Sequence, residues 1–335
     1  MDLVDASLWK RLAGHRVFLT GGTGFVGKWL LATLLEADRV FGLACAATVL
    51  SRNPEAFRAQ VPHLANAPSV HLLQGDVCDF ASPAGEFGFV IHAATDVVAS
   101  HTPLDIFDTC VRGTRRVLDF ALQAGTTDLL LVSSGAVYGP QPVDLDAIPE
   151  GHAGAPNPLS PASAYGEGKR VSEWLVGAYA AEHPLRVRVA RCFAFVGPYL
   201  SLDKHFAIGN FLRDAMAQRP IVIRGDGTPY RTYLHAADMA GWLWKILLSG
   251  TPGAAYNVGG AEAVSIGELA QRVTDLLGSP APVNILKTPV AGQPPQRYVP
   301  SVAKAASELG LDTPLALDES IRRTAQWHQR TTPHT

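Results

Sequence analysis

Two kinds of hydrophobic pattern alternate along the first half of the chain. Short apolar runs rich in β-branched residues, at 17–20, 46–50, 70–73, 90–93 and 129–133, are separated by stretches whose apolar positions recur at helical spacing, most clearly at 25–36 and 104–124. Strands divided by crossover-length helices predict an α/β fold built on a parallel, doubly wound sheet. Beyond about residue 190 the alternation becomes irregular. Helices are expected there at 206–218, 236–249, 265–277 and 315–328, with many Pro and Gly residues between them. This pattern divides the chain into a sheet domain over 1–190 and a smaller, mostly helical domain over 191–335 that forms the other wall of a cleft. Segments near 190–196 and 230–260 are expected to return to the sheet.

Ligands of such sheets bind beyond the carboxyl ends of the strands, where the strand order reverses. The chemistry-bearing motifs follow the predicted strands. Val17-Phe18-Leu19-Thr20 runs into Gly21-Gly22-Thr23-Gly24-Phe25-Val26-Gly27, a Gly-x-x-Gly-x-x-Gly pattern between a strand and a helix. A tight turn, close backbone approach and the free N–H groups of a helix start suit a pyrophosphate, so the sheet is of the Rossmann type, with Gly21, Gly24, Phe25, Val26 and Gly27 at a dinucleotide. An acidic residue at the end of the second strand would bind the ribose hydroxyls, but Ser51-Arg52 stands there. A guanidinium in place of a carboxylate favours a 2'-phosphate and therefore NADP(H); NAD(H) is the alternative, with Arg52 a solvated charge. Asp76, after the third strand, offers a carboxylate for the adenine edge or a cap for its own turn.

A further strand ends in Ser133-Ser134-Gly135-Ala136, and Tyr165-Gly166-Glu167-Gly168-Lys169 opens a later helix. The four-residue spacing puts phenol and ammonium on one helix face. A phenol with a pKa near 10 exchanges protons poorly at neutral pH, and a neighbouring cation lowers that value; Ser134 would hydrogen-bond the same substrate oxygen.

Composition narrows the reading. Against 30 acidic residues stand 28 basic ones, giving a net charge of −2 with no long run of either sign, so no nucleic-acid partner is expected. The longest apolar run, 40–50, is too short to cross a bilayer, and Met1 to Asp5 hold no basic stretch, so neither membrane span nor signal peptide is expected. Cys45, Cys78, Cys110 and Cys192 are widely spaced with no metal-ligand pattern, which reads as core thiols, no metal site and a cytoplasmic protein.

Together these motifs resemble the extended short-chain dehydrogenase/reductase family, in its nucleotide-sugar epimerase, dehydratase and reductase branch. The resemblance covers nearly the whole chain and includes His92-Ala93-Ala94, Gly113-Thr114, Arg191 through Gly197-Pro198, Gly225 to Arg231, His235 to Asp238 and Tyr256 to Gly260. It implies a catalytic set of Ser134, Tyr165 and Lys169, with Asp76 and Val77 beside adenine and Ala93 and Ala94 at the cofactor. It also implies a nucleoside-diphosphate sugar as substrate, held by Ser134, Gly135, Ala136, Asn210, Arg231 and Arg297, the two arginines taking the diphosphate. The chain departs from the pattern in three places. Ser134-Gly135-Ala136 replaces the Thr-Asp-Glu of the 4,6-dehydratases, which removes the acid and base for elimination, while Cys110 and Ala194 replace frequent asparagines.

The main expectation is an NADP(H)-dependent reductase of a 4-keto nucleotide sugar, a 6-deoxyhexose by preference. The alternative is an epimerase or decarboxylase that holds its cofactor through an internal oxidation and reduction. A non-enzymatic dinucleotide sensor would have no use for Tyr165 and Lys169. The resemblance further implies a homodimer through the helix at 104–124 and the one opening near Tyr165, with Ile106, Phe107, Val117, Leu118 and Leu122 as surplus apolar surface.

Overall fold

The computed structural model describes residues 4–95, 102–204, 206–311 and 315–331. A short helix α1 (Ala6–Trp9) leads into strand β1 (Arg16–Thr20), helix α2 (Phe25–Phe41), β2 (Ala46–Ser51), the short helices α3 (Pro54–Gln60) and α4 (Pro62–Ala65), β3 (Val70–Gln74) and β4 (Phe89–His92). Helix α5 (Pro103–Gln123), β5 (Asp128–Ser134), α6 (Ala164–Glu182) and β6 (Arg186–Cys192) follow. The segment Ala255–Val258 adds a seventh strand beside β6. All seven are parallel, in the order Ala255–Val258, β6, β5, β4, β1, β2, β3. The order therefore reverses between β1 and β4, where Thr20 pairs with His92. A ligand crevice belongs at that point in a doubly wound sheet.

Period-two alternation sends strand side chains into two cores. Val17, Leu19, Val49, Ile91 and Leu130 face α2 and the helix Ala236–Ser249. Phe18, Leu50, Val90, Leu129 and Leu131 face α5 and α6. Helix α5 starts in a capping box, with the Thr102 hydroxyl accepting from Asp105 N at 3.2 Å and the Asp105 carboxylate accepting from Thr102 N at 3.1 Å. Val117 and Leu118, expected as surplus surface on this helix, instead lie buried against the sheet, so their helix face belongs to the core. Residues on α6 leave Trp174 68% exposed.

The second half builds a third core from Val196, Ile208, Leu212, Leu269, Val273 and Ile321. These lie in or beside helices Ala207–Met216, Ile266–Leu277 and Leu317–Thr331. Among the described residues three small sheets join the helices; one carries Ala263–Ser265, Tyr230–Thr232 and Arg297–Tyr298 side by side. The helix Ala303–Leu309 goes back to the first core through Ala305 and Leu309. Helices α3 and α4 carry no sequence periodicity because each is too short for it; both begin at a proline, which suits the first helical turn. Among the described residues no helix is long and apolar enough to cross a membrane; Met1, Asp2 and Leu3 lie outside them.

Candidate active site

The glycine turn joins β1 to α2 beneath the end of β4. Gly21 takes φ of +70°, and a Cβ there would stand 2.6 Å from the Ala93 carbonyl carbon and 2.7 Å from Ala94 N, so only glycine allows this approach. Gly24 N donates to Gly21 O at 3.0 Å, and Gly24 is the N-cap of α2 without a side-chain cap. A Cβ on Gly27 would meet Gly21 O at 2.3 Å. Phe25 and Val26 form the first helical turn. Helix N–H groups and dipole thus open onto a cradle lined by Ala93 and Ala94, whose shape and polarity fit a dinucleotide pyrophosphate. Buried His92 braces this cradle: Nδ1 lies 2.8 Å from the Thr20 hydroxyl and Nε2 3.0 Å from that of Thr114. Burial, with the Lys169 charge adding to it, pushes the His92 pKa down to about 3, so this imidazole is neutral.

Strand β5 delivers Ser134 to the same edge, and α6 lies against it. The Ser134 hydroxyl accepts from Ala136 N at 3.1 Å. The Tyr165 hydroxyl lies near enough for Ser134 to pull its pKa down. Lys169 is 2% exposed, and its Nζ donates to Val132 O at 2.8 Å. Ser134 and Tyr165 therefore lie near each other, with Lys169 one helical turn beyond Tyr165 and bonded to the backbone of β5. The electrostatics differ from the expectation that the Lys169 cation lowers the Tyr165 pKa. Desolvation pushes the Tyr165 phenol above its ordinary value against the opposing pull of Ser134, and burial lowers the Lys169 ammonium.

Other residues singled out in the sequence sit as follows. Ser51 is buried at the end of β2, its hydroxyl accepting from Asn53 N at 3.2 Å, while Arg52 is exposed just beyond the strand. The Asp76 carboxylate accepts from Cys78 N at 2.9 Å, capping its own turn, and Val77 packs into the core beside α5. Asn210 accepts from Arg213 at 3.3 Å on the helix Ala207–Met216. Arg231 pairs in register with Tyr298, and Arg297 with Tyr230. Strand alternation therefore puts the two arginines on opposite faces, Arg231 on the face shared with Tyr298. Arg297 points toward Asp146 at 4.0 Å and stacks over the Tyr230 ring at 4.9 Å; its Nε is buried with no hydrogen-bond partner among the described residues.

Two features were not legible in the sequence. One is Tyr298, whose hydroxyl lies over Gly135, 2.7 Å from where a Cβ would stand there, and whose ring packs on Phe193 at 4.6 Å between centroids. The other is a chain of buried polar groups behind the site. The Ser133 hydroxyl donates to Glu173 at 2.6 Å, Arg191 clamps Glu173 and donates to the Tyr138 hydroxyl at 2.9 Å, and Tyr138 donates to Asn257 at 2.8 Å. Carboxylate and guanidinium in Glu173 and Arg191 are a sequence signal, but their pairing across 18 positions exists only once α6 lies on β6.

The model of the NAD dependent epimerase/dehydratase family matches residues 17–259. UDP-glucuronic acid decarboxylase 3 of Arabidopsis thaliana is 27% identical over 308 residues, covering 91% of this chain and 86% of that relative. The UDP-glucose 4-epimerase of Thermotoga maritima, solved with UDP-glucose, matches with a TM-score of 0.79 at 20% identity over 94% of this chain and 99% of that one. The Bordetella bronchiseptica enzyme WbmF, solved with NAD+ and UDP, matches with a TM-score of 0.77 at 22% identity, over 96% and 94% of the two chains. These two structures share the fold.

Proposed function

Because the chain belongs to the NAD dependent epimerase/dehydratase family, we propose that it epimerises a nucleoside-diphosphate sugar at C4, oxidising and re-reducing that carbon with one retained nicotinamide dinucleotide. The observation that carries this reading is the turn Ser134-Gly135-Ala136: it presents a hydroxyl to Tyr165 and no carboxylate. A cycle confined to one carbon needs a group that takes and returns one proton, and a partner for the oxygen concerned. Tyr165 and Ser134 supply these, whereas elimination would need a further acid and base.

A nicotinamide dinucleotide, when bound, would supply the reversible hydride acceptance at C4 that this cycle needs. Gly21, Gly24 and Gly27 would hold its pyrophosphate at the start of α2, and Lys169 would lie near its nicotinamide ribose. Tyr165 takes the C4 hydroxyl proton as the hydride departs, and gives it back after the 4-keto sugar has turned its other face. Ser134 hydrogen-bonds the same oxygen throughout. Arg231, on the Tyr298 face, would take the diphosphate, since a guanidinium fork matches phosphate oxygens. The named relatives support uridine as the base and make hexuronate decarboxylation through the same 4-keto stage the neighbouring outcome.

Ser51-Arg52 favours a second reading, net reduction of a 4-keto sugar by exchangeable NADPH, because that pair lacks the carboxylate suited to an unphosphorylated ribose. Dinucleotide released from the purified protein by denaturation separates the two. Near-stoichiometric NAD, together with an epimeric product from UDP-hexoses by NMR, supports epimerisation. Empty protein that consumes NADPH overturns it, and a UDP-pentose formed from UDP-glucuronate redirects it to decarboxylation.

A further inference from the structure

A cleft of about 610 Å³ lies between α2, the segment around α4 and the last helix, Leu317–Thr331. Lys28, Gln60, His63, Tyr199 and Trp327 line it, and no carboxylate does among the described residues. None of these five belongs to the cofactor cradle or to the turn Ser134-Gly135-Ala136. The backbone at the cleft is strained: Tyr199 takes φ of +70°, a conformation that a bulky side chain enters only at a cost. Neighbouring contacts hold it there. Leu200 N donates to Gly197 O at 3.1 Å, and Trp29 Nε1 donates to Pro198 O at 2.8 Å. Trp327 and Trp29 meet the Tyr199 ring edge to face, at 4.8 and 6.4 Å between centroids. A strained residue kept in place by this many partners points to a use for its side chain.

The His63 and Tyr199 side chains reach the cleft as a pair, with His63 Nε2 2.9 Å from the Tyr199 hydroxyl. Whichever of the two gives its proton, one donor is left over: the Tyr199 O–H if Nε2 donates, the His63 Nδ1–H if it accepts. Lys28 Nζ stands 5.5 Å from the centre of the Tyr199 ring. Burial lowers the Lys28 pKa, with the Lys204 charge adding to it, and an anion beside Lys28 would offset that repulsion. Donors, an ammonium and no carboxylate suit an oxyanion, and the Trp327 ring gives the same space a flat apolar wall. Lys28 and Trp327 both reach the Tyr199 ring, so one small molecule can touch both. The volume exceeds what a bare anion fills and falls in the range of small-molecule sites. We propose that this cleft binds a nucleoside monophosphate, with the phosphate at Lys28 and the His63–Tyr199 pair and the base packed on Trp327. It shares no residue with Ser134, Tyr165 and Lys169, so it stands apart from the function proposed above.

Calorimetric titration of AMP into protein saturated with NAD+ and UDP tests it, because those ligands would fill the cradle and the proposed sugar-nucleotide site. About one further equivalent of AMP should bind, with UMP close to it in affinity, since packing on an indole does not read base edges. Lys28→Gln should weaken AMP about tenfold or more, and Trp327→Leu at least about fivefold; an unchanged affinity in Lys28→Gln overturns the proposal. Should Trp327→Leu disturb the fold, the Trp327 indole N–H signal of the wild type decides instead, and it should shift as AMP is added. No heat and no shift up to about 5 mM AMP overturns the proposal. AMP that displaces NAD+ or UDP overturns it as well, by lodging in the site already described. Inorganic phosphate bound as tightly as AMP would remove the base from the cleft, and glucose 1-phosphate bound more tightly would replace the nucleotide by a sugar phosphate; either result overturns it. Wild type that turns over no nucleotide sugar would remove the proposed function and leave these measurements intact.

Discussion

Arg191 on β6 clamps Glu173 on α6, with Nη2 2.7 Å from Oε2 and Nε 3.1 Å from each carboxylate oxygen. The pair is 17% and 14% exposed, and it ties the helix carrying Tyr165 and Lys169 to the strand beside Ser134. Glu173 also accepts from the Ser133 hydroxyl, and Arg191 donates to the Tyr138 hydroxyl, so both flanks of the turn Ser134-Gly135-Ala136 hang on one ion pair. Removing the carboxylate alone leaves a guanidinium with little water to replace it. Glu173→Ala should therefore lose about 3 to 5 kcal/mol in urea unfolding, while the paired change Glu173→Leu with Arg191→Met should recover much of that loss. A single variant of wild-type stability would show that the clamp contributes little.

Tyr165→Phe keeps the ring and deletes the transferable proton. Turnover of a nucleotide sugar should fall by about two to four orders of magnitude, with dinucleotide content nearly unchanged. Steady-state kinetics and cofactor release measured on the same preparation check both halves; wild-type-like turnover would remove Tyr165 from the chemistry.

His92 makes stability depend on pH in a defined direction. Its folded pKa, about 3, lies below the ordinary value of 6.5, and buried His235 is likewise lowered to about 4. A depressed histidine is neutral in the fold, so the unfolded chain binds the extra proton as pH falls through 6.5. Stability is then lost progressively until the folded pKa is reached, where the loss levels off. Each such histidine should contribute about 1.4 kcal/mol per pH unit inside its window. Denaturant unfolding between pH 4 and 6 should show this slope, smaller by one proton in His92→Gln.

Arg52 tests which dinucleotide the protein selects. Should its guanidinium meet a 2'-phosphate, Arg52→Ala will weaken NADPH binding roughly ten- to hundredfold and leave NADH nearly unchanged. Fluorescence titration of both cofactors with both proteins decides it. Equal effects on the two, or a wild type that prefers NADH, would remove the one observation favouring net reduction.

Trp174 stands 68% exposed on α6, and Leu122 on neighbouring α5 is half-buried. A homodimer built through these helices would bury Trp174. Sedimentation at micromolar concentration should give a dimer for wild type and a shift toward monomer for Trp174→Glu; a monomeric wild type would contradict the homodimer.

Local information was enough for much of this protein. A glycine pattern between an apolar run and a helical run can serve few purposes, so a tight strand-to-helix turn could be read before any fold was known. The same holds for Tyr165 and Lys169, whose relation is one helical turn, and for the parallel sheet, since strand-helix alternation leaves few other ways to bury both sheet faces. Contacts between distant segments could not be read that way. Val117 and Leu118 are apolar residues on an amphipathic helix, and only the packing of α5 on the sheet shows that they face inward. Arg231 and Arg297 look equivalent along the chain, yet strand register puts them on opposite faces. Tyr298 lies more than a hundred residues from Ser134 and carries no motif of its own. It becomes part of the site because a small sheet in the second half of the chain brings it over Gly135, whose missing side chain leaves the space its hydroxyl fills.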